Sequence, residues 1–370
     1  MGFSIGKVHV GGSHPVIIAE AGVNHLRRLD YAEELVSAAA RAGAQIVKFQ
    51  TYDAAQLTTR TAPRFWKWEG EHDADGSQFD SYAALATPDE DFTRALLEIC
   101  EANEVEFMST PFDLEAVRML ARIGSKAFKV ASGDITNLPL LREVGAHGLP
   151  VFLSTGASDL GEVETAVAVL ESSGCRDICI MHCTLTYPTR PEDANLTALM
   201  DLRAAFPSHV LGLSDHTVGS FLGAASVLLG VDAIEKHFTF DRSLPDSADH
   251  WLSADEAELR RLVELSSDAR MARGIGRKSV LESEKSTRAN ARRSLVASQA
   301  IRAGEKFDEN NVTFKRPAAG ISPMYFDELV GLSAARDIAE DAVIVPSDVV
   351  EDASFVPIDT KNIQDFRRNG

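Results

Sequence analysis

The strongest constraint on the fold is a repeated switch between two hydrophobic periods. Short apolar, β-branched runs at 16–21, 46–50, 105–110, 126–131, 150–154, 177–182, 210–213 and 233–238 each close in polar or glycine-bearing residues, the pattern of buried strands. Helix-period segments lie between them: one opened by Asp30 and closed by Gly43, one capped by Asp113, then 137–147, 159–172, 195–206, 219–230 and 254–273. Strict strand–helix alternation implies a parallel sheet with right-handed crossovers. Eight units in roughly 270 residues suit a closed (β/α)8 TIM barrel, typically about 250 residues long. The alternative is an open doubly wound sheet. It calls for a glycine-rich first turn, and Ala21-Gly22-Val23-Asn24-His25 is not GxGxxG.

Two regions depart from this rhythm. The connection 52–87 is oversized and carries Phe65-Trp66-Lys67-Trp68, which predicts a lid, an interface or a surface excursion at the barrel mouth. After residue 273 the pattern turns to short β-rich pieces, 294–297, 312–315 and 342–345, separated by turns. The expected organisation is a barrel over 1–273, a linker over 274–290, a small β-rich domain over 291–355 that is stabilised by docking, and a loose tail over 356–370.

The formal net charge of −18 argues against binding to nucleic acid or an acidic membrane surface, so any anionic substrate needs a local cluster of cations and N–H groups. The first residues lack a signal-peptide pattern and no run approaches 18 apolar residues, so a cytoplasmic chain without a membrane span is expected. Cys175, Cys179 and Cys183 recur every four residues without a CxxC pair. Strand alternation puts Cys179 and Cys183 on one face, and buried free thiols are expected rather than a metal or disulfide site.

In a TIM barrel the chemistry sits at the C-terminal ends of the strands. Those ends carry Glu20, Lys48, Gln50, Thr110, Lys129, Ser132, Asp134, Ser154, His182, Ser214, His216 and His237. Two lysines on separate strands are costly to bury together unless an anion lies between them, and hydroxyls beside them are the donors a phosphate or carboxylate wants. His216 and His237 end consecutive strands. A lone histidine there is usually a hydrogen-bonded core or loop residue, but the pair suits a divalent cation. Aldol-type condensation, isomerisation and phosphate-ester hydrolysis all remain open to such a site.

Several stretches carry a resemblance. They include Ile18-Ala19-Glu20-Ala21-Gly22-Val23-Asn24-His25, Val47-Lys48-Phe49-Gln50-Thr51, Lys129-Val130-Ala131-Ser132-Gly133-Asp134, His182-Cys183-Thr184, Leu213-Ser214-Asp215-His216-Thr217 and Ile234-Glu235-Lys236-His237-Phe238. In this order they resemble the sialic acid synthase family. Ala291-Arg292-Arg293-Ser294-Leu295 and Lys315-Arg316-Pro317 resemble that family's C-terminal antifreeze-like (SAF) domain.

The resemblance implies condensation of phosphoenolpyruvate with an N-acyl hexosamine to a nine-carbon 3-deoxy-2-ulosonic acid and phosphate. It implies that His216 and His237 hold Mn2+ or Mg2+, and that Lys48, Thr110, Lys129, Ser132, Ser154 and Ser214 cradle phosphoenolpyruvate. Glu20 would lie near the cation or the sugar, with Asp134 among the catalytic groups. Gln50, Tyr187 and Asp249 would contact the sugar, and Arg316 would reach it from the partner subunit of a homodimer.

Three positions depart from the family pattern. Asp134 stands for Glu, Leu185 for Asn, and Leu26-Arg27 for Asn-Gly. Leu185 removes a hydrogen-bond donor that Thr184 or Thr186 would then supply. A carbohydrate-binding or regulatory protein that has lost turnover is the alternative from another class. An ice- or ligand-binding module is a third.

Overall fold

The computed structural model describes residues 2–64, 66, 76–86, 89–244 and 249–350. The expected tail at 356–370 and the Lys67-Trp68 half of the aromatic loop lie outside the described residues. The chain divides into two compact units, Met1–Ile275 and Gly276–Gly370.

In the first unit a short hairpin, β1 (Phe3–Ile5) and β2 (Val8–Val10), precedes eight parallel strands. These are β3 (Val16–Gly22), β4 (Ile46–Thr51), β5 (Glu106–Pro111), β6 (Phe128–Val130), β7 (Val151–Ser154), β8 (Ile178–Cys183), β9 (Val210–Asp215) and β10 (Ala233–His237). They pair in chain order, and β10 pairs back onto β3, which closes the barrel. The TIM barrel expected from the sequence is therefore the fold. Its strands are buried on both faces, which is why they read as nearly continuous apolar runs.

Helix starts follow local chemistry. The side chains of Asp113, Asp159 and Asp255 accept hydrogen bonds from the backbone N–H three residues on, at 2.8–2.9 Å, and Asp159 forms a capping box with Glu162. The structure revises the sequence reading in four places. The N-terminal lead is a hairpin, whose three-residue strands are too short to show a period. The second barrel helix, not assigned from sequence, is Glu90–Ala102. The helix expected over 195–206 narrows to Ala198–Ala205. The segment 219–230 is α-helical only over Phe221–Ser226, then tightens to 3-10 over Val227–Leu229.

Alternation along the strands divides the barrel into two buried layers. Ile17, Val47, Phe107, Leu153, Leu211 and Ile234 face outward and pack beneath the helices. Ile18, Ile46, Met108, Phe152, Cys179, Met181 and Ala233 face inward, and with Phe3, Ile5 and Val10 of the hairpin they form an apolar floor. All four cysteines are free and buried, as expected. The floor is tight at Gly212, where a Cβ would come within 3.0 Å of both Cys179 Sγ and Met181 Cγ.

In the second unit β11 (Ser294–Ala297) pairs antiparallel with β12 (Val312–Lys315) around Leu295, Ile301, Phe307, Ile321 and Ile344. The third expected β piece joins through a single bridge between Val343 and Val296. Residues 274–290, expected as a linker, include a 3-10 turn at Glu282–Glu284 and the start of the helix Lys285–Ala291. Among the described residues no helix is long and apolar enough to cross a membrane.

Candidate active site

Above the apolar floor, the same inward-facing positions turn polar. One step of two residues up each strand leads from Ile18 to Glu20, Ile46 to Lys48, Met108 to Thr110, Phe152 to Ser154 and Ala233 to Glu235. The side chains of Lys48, Lys129, Glu20 and Glu235 are each 4% exposed or less.

Lys48 Nζ lies 2.7 Å from Glu20 Oε2 and 3.6 Å from Glu235 Oε1. Lys129 Nζ lies 3.1 Å from the same Glu235 oxygen. Thr110 Oγ1 accepts from Lys48 at 3.1 Å, and Ser214 Oγ donates to Glu235 Oε1 at 3.3 Å. Gln50 Nε2 donates to Glu20 Oε1 at 2.9 Å. The two lysines thus converge, as their strand positions predict, but a carboxylate of the chain itself lies between them.

Glu235 was not singled out from the sequence. The signal was present, because Glu235 precedes His237 by two residues and so shares its face. Burial opposes ionisation of Glu235, but the Lys129 and Lys48 ammoniums outweigh it and hold the carboxyl well below the usual range. Burial likewise opposes charge on Lys48, and Glu20 with Glu235 raises it above the ordinary lysine value.

This cluster is balanced in charge but not in hydrogen bonds. Ser154 Oγ and Glu235 Oε2 are buried without a hydrogen-bond partner. Such groups are expensive in a packed interior unless a ligand or water meets them. Ser132 Oγ accepts from Gly156 N at 2.9 Å, which joins the turns after β6 and β7. Asp134 lies in the 3-10 turn Ser132–Asp134, half-buried and bonded by Asn137 Nδ2 at 3.1 Å. Burial raises its carboxyl above the ordinary value, with the Asn137 bond opposing.

The His216 and His237 rings sit with centroids 5.4 Å apart. His216 Nδ1 is 2.9 Å from Thr184 O and 3.9 Å from Cys183 Sγ. His237 Nδ1 is 3.4 Å from Asp249 Oδ2. His216 is thus paired through Nδ1 with a carbonyl, and His237 Nδ1 lies at ion-pair distance from a carboxylate, so each ring can offer Nε2 to a cation. This is the outer-shell pattern of metal-binding histidines, so the pair fits a divalent metal. Among the described residues no group of three or more His, Cys, Asp or Glu side chains is arranged to hold one. Burial opposes ionisation of Asp249, but His237 and then His216 draw it below the ordinary value.

Tyr187 lies over the pair, its ring centroid 4.2 Å from that of His216 and 5.7 Å from that of His237. The turn at Gly22, with φ +52, brings Glu20, Gln50 and Asp249 together. A Cβ there would make ordinary contact with all three at 3.4–3.6 Å, so it is the left-handed backbone that calls for glycine.

Other expected residues lie apart. His182 faces away from Cys183 by strand alternation and pairs with Ala194 O at 2.9 Å. The hydroxyls expected to replace the donor missing at Leu185 are engaged within their own loop: Thr184 Oγ1 donates to Asp193 O at 3.0 Å, and Thr186 Oγ1 is 3.2 Å from Thr189 Oγ1. Arg316 lies exposed in the second unit, just after β12.

Fold and mouth together define a TIM barrel with a polar, charge-balanced centre at the C-terminal strand ends. The chain belongs to the NeuB family, whose model matches residues 35–278, and a SAF domain matches residues 292–350. It is 39% identical to the N,N'-diacetyllegionaminic acid synthase of Campylobacter jejuni, over 89% of this chain and 98% of that one. It is 33% identical to the pseudaminic acid synthase of the same organism, over 87% and 93%. Among solved structures it resembles the N-acetylneuraminic acid synthetase of Leptospira borgpetersenii in complex with citrate. That likeness has a TM-score of 0.68 and 33% identity, over 78% of this chain and 95% of that one.

Proposed function

We propose that this chain condenses phosphoenolpyruvate with an N-acyl hexosamine to give a nine-carbon 3-deoxy-2-ulosonic acid and phosphate. The observation that carries the reading is the convergence of Lys48 and Lys129 on Glu235, at strand ends that also carry the unpartnered Ser154 hydroxyl and, two residues beyond Glu235 on β10, one of the paired imidazoles. An enol phosphate brings the negative charge and acceptor oxygens that the lysines and hydroxyls call for.

In this reading Lys48, Lys129, Thr110, Ser132, Ser154 and Ser214 bind phosphoenolpyruvate. His216 and His237 hold Mn2+ or Mg2+, which when bound supplies Lewis-acid polarisation of the sugar aldehyde. Gln50, Tyr187 and Asp249 orient the open-chain sugar so that its aldehyde carbon faces carbon 3 of the enol. The new carbon–carbon bond forms between those two atoms, and the aldehyde oxygen takes up a proton. Water then adds at carbon 2 and loses a proton, and the resulting hydroxyl gives up its proton to become the ketone as the carbon–oxygen bond to phosphate breaks. In this reading Glu20 and Asp134 are the carboxyl groups that carry these transfers. Holding two weakly activated molecules in line can supply about 7–11 kcal/mol at best.

The chain shares more identity with the diacetyllegionaminic acid synthase (39%) than with the N-acetylneuraminic acid synthetase (33%), which favours a di-N-acyl 6-deoxy hexose over N-acetylmannosamine. The apolar Leu185 side chain at the mouth is in keeping with a deoxy sugar. We also assign Arg316 to the sugar site of a second copy, in a homodimer. Mixing Arg316→Ala chains with Lys129→Met chains should then restore part of the activity, and verified mixed dimers without rescue would remove this assignment. The reaction is tested by incubating the protein with phosphoenolpyruvate, Mn2+ and a panel of N-acyl hexosamines while measuring phosphate. No release with any sugar would leave a carbohydrate-binding protein without turnover.

A further inference from the structure

His216 and His237 face into the barrel, so their strand neighbours Asp215 and Lys236 face outward. Those two are directly paired in the sheet register and form a second buried ion pair. Lys236 Nζ lies 2.9 Å from Asp215 Oδ2, with both side chains 2% exposed. The other carboxylate oxygen, Asp215 Oδ1, accepts from Thr217 N at 2.9 Å and from Thr217 Oγ1 at 2.7 Å. Lys236 also donates to the Thr217 carbonyl. The helix Phe221–Ser226 presses on this arrangement through Gly223, where a Cβ would come 3.1 Å from Asp215 Oδ2 and 2.9 Å from Leu262 Cδ1. No ligand can reach the pair from the mouth, because it sits on the opposite face of the sheet.

A buried ion pair recovers little of its desolvation cost relative to an apolar pair of the same size, so stability alone does not account for it. Its geometry offers a more specific role. Asp215 ties down both the residue after His216 and the residue before His237, and it does so from outside the site. One carboxylate thereby joins the ends of β9 and β10 and fixes the turn on which His216 is carried.

We infer that Asp215, Thr217 and Lys236 form a positioning clamp that sets the spacing of His216 and His237 and, through it, the affinity of the pair for a divalent cation. The inference rests on the proposed cation site, and it concerns residues that touch neither substrate nor cation.

The test measures the dissociation constant for Mn2+ from the free-ion electron paramagnetic resonance signal, without substrates. Folding is checked by circular dichroism. Thr217→Val is the informative variant because it removes one hydroxyl while keeping shape and leaving no charge unpaired. It should weaken Mn2+ binding about 10-fold, at the low end of the effect of removing an outer-shell partner. Thr217→Ser should restore most of the affinity. Gly223→Ala, which pushes on Asp215 from the helix side, should weaken binding as well and serves if Thr217→Val does not fold. Folded Thr217→Val or Gly223→Ala protein that binds Mn2+ with the affinity of the unaltered chain would overturn the clamp. Failure of the unaltered chain to bind Mn2+, or equal binding by His216→Ala, would instead overturn the two-histidine site on which the clamp rests.

Discussion

Two buried charge clusters meet on opposite faces of β10, one outward through Lys236 and Asp215 of β9, the other inward through Glu235 and residues of β3, β4 and β6. The outer one is closed. Both oxygens of Asp215 are met, and Lys236 bonds the carboxylate and the Thr217 carbonyl. The inner one balances Lys48 and Lys129 against Glu20 and Glu235, yet leaves Ser154 Oγ and Glu235 Oε2 without partners. Charge balance is therefore not what separates a structural ion pair from a binding site. The difference lies in the hydrogen bonds left unmade, since a buried polar group without a partner is a cost that a ligand can remove.

If the inner cluster binds the anion, removing one of its cations should have the largest effect on turnover. Lys129→Met should lower kcat/KM for phosphoenolpyruvate by about 100- to 1000-fold, the loss typical of one preorganised charge-stabilising donor. A fall below threefold in phosphate release would place the anion elsewhere. The same variant leaves Glu235 facing a single lysine at longer range, and breaking a buried pair costs about 3–5 kcal/mol, so its urea midpoint should also fall. Glu235→Gln should act more mildly. Lys48 and Lys129 keep a hydrogen-bonding neighbour but lose its charge, so the KM for phosphoenolpyruvate should shift while most of kcat survives. An equal collapse of both constants would make Glu235 a participant in the chemistry rather than a holder of the lysines.

The closed outer cluster should show its effect in Mn2+ affinity, as tested through Thr217. The acid limb of stability separates the two clusters further. The Glu235 carboxyl is depressed in the folded state, so its stabilisation is complete above the ordinary value of 4.5 and is lost as pH falls below it. Urea midpoints measured from pH 6 to pH 3 should fall more steeply for the unaltered chain than for Glu235→Gln. Parallel curves would mean that the inner carboxylate contributes no pH-linked stability. The smallest effect is expected at Leu185→Asn, which adds a donor at the mouth without touching either cluster and should change sugar preference more than the rate with phosphoenolpyruvate.

Much of this architecture is legible in the residues because two simple rules act together. Burial on both faces marks the strands as short apolar runs, and the C-terminal strand ends locate the polar centre, so Lys48, Lys129, His216 and His237 can be picked out from the chain. Glu235 escapes notice because it sits inside an apolar run, where a single carboxylate reads as an interruption rather than as the partner of lysines 106 and 187 residues away. Asp215 and Lys236 escape for the complementary reason. Their chemistry faces outward, and only the closed register of β9 with β10 shows that they meet. The N-terminal hairpin is invisible to periodicity because three residues do not define a period. Its apolar Phe3, Ile5 and Val10 make sense only once the barrel floor exists to receive them.

The central claim is that the open inner cluster binds an enol phosphate which then reacts at carbon 3. The most direct measurement is phosphate release from phosphoenolpyruvate in water enriched in oxygen-18, with Mn2+ and a di-N-acyl 6-deoxy hexose. The account predicts sugar-dependent release of unlabelled phosphate, with the label appearing at carbon 2 of a nine-carbon ulosonic acid. Phosphate that carries the label, or that appears without any sugar, would show attack at phosphorus and contradict it.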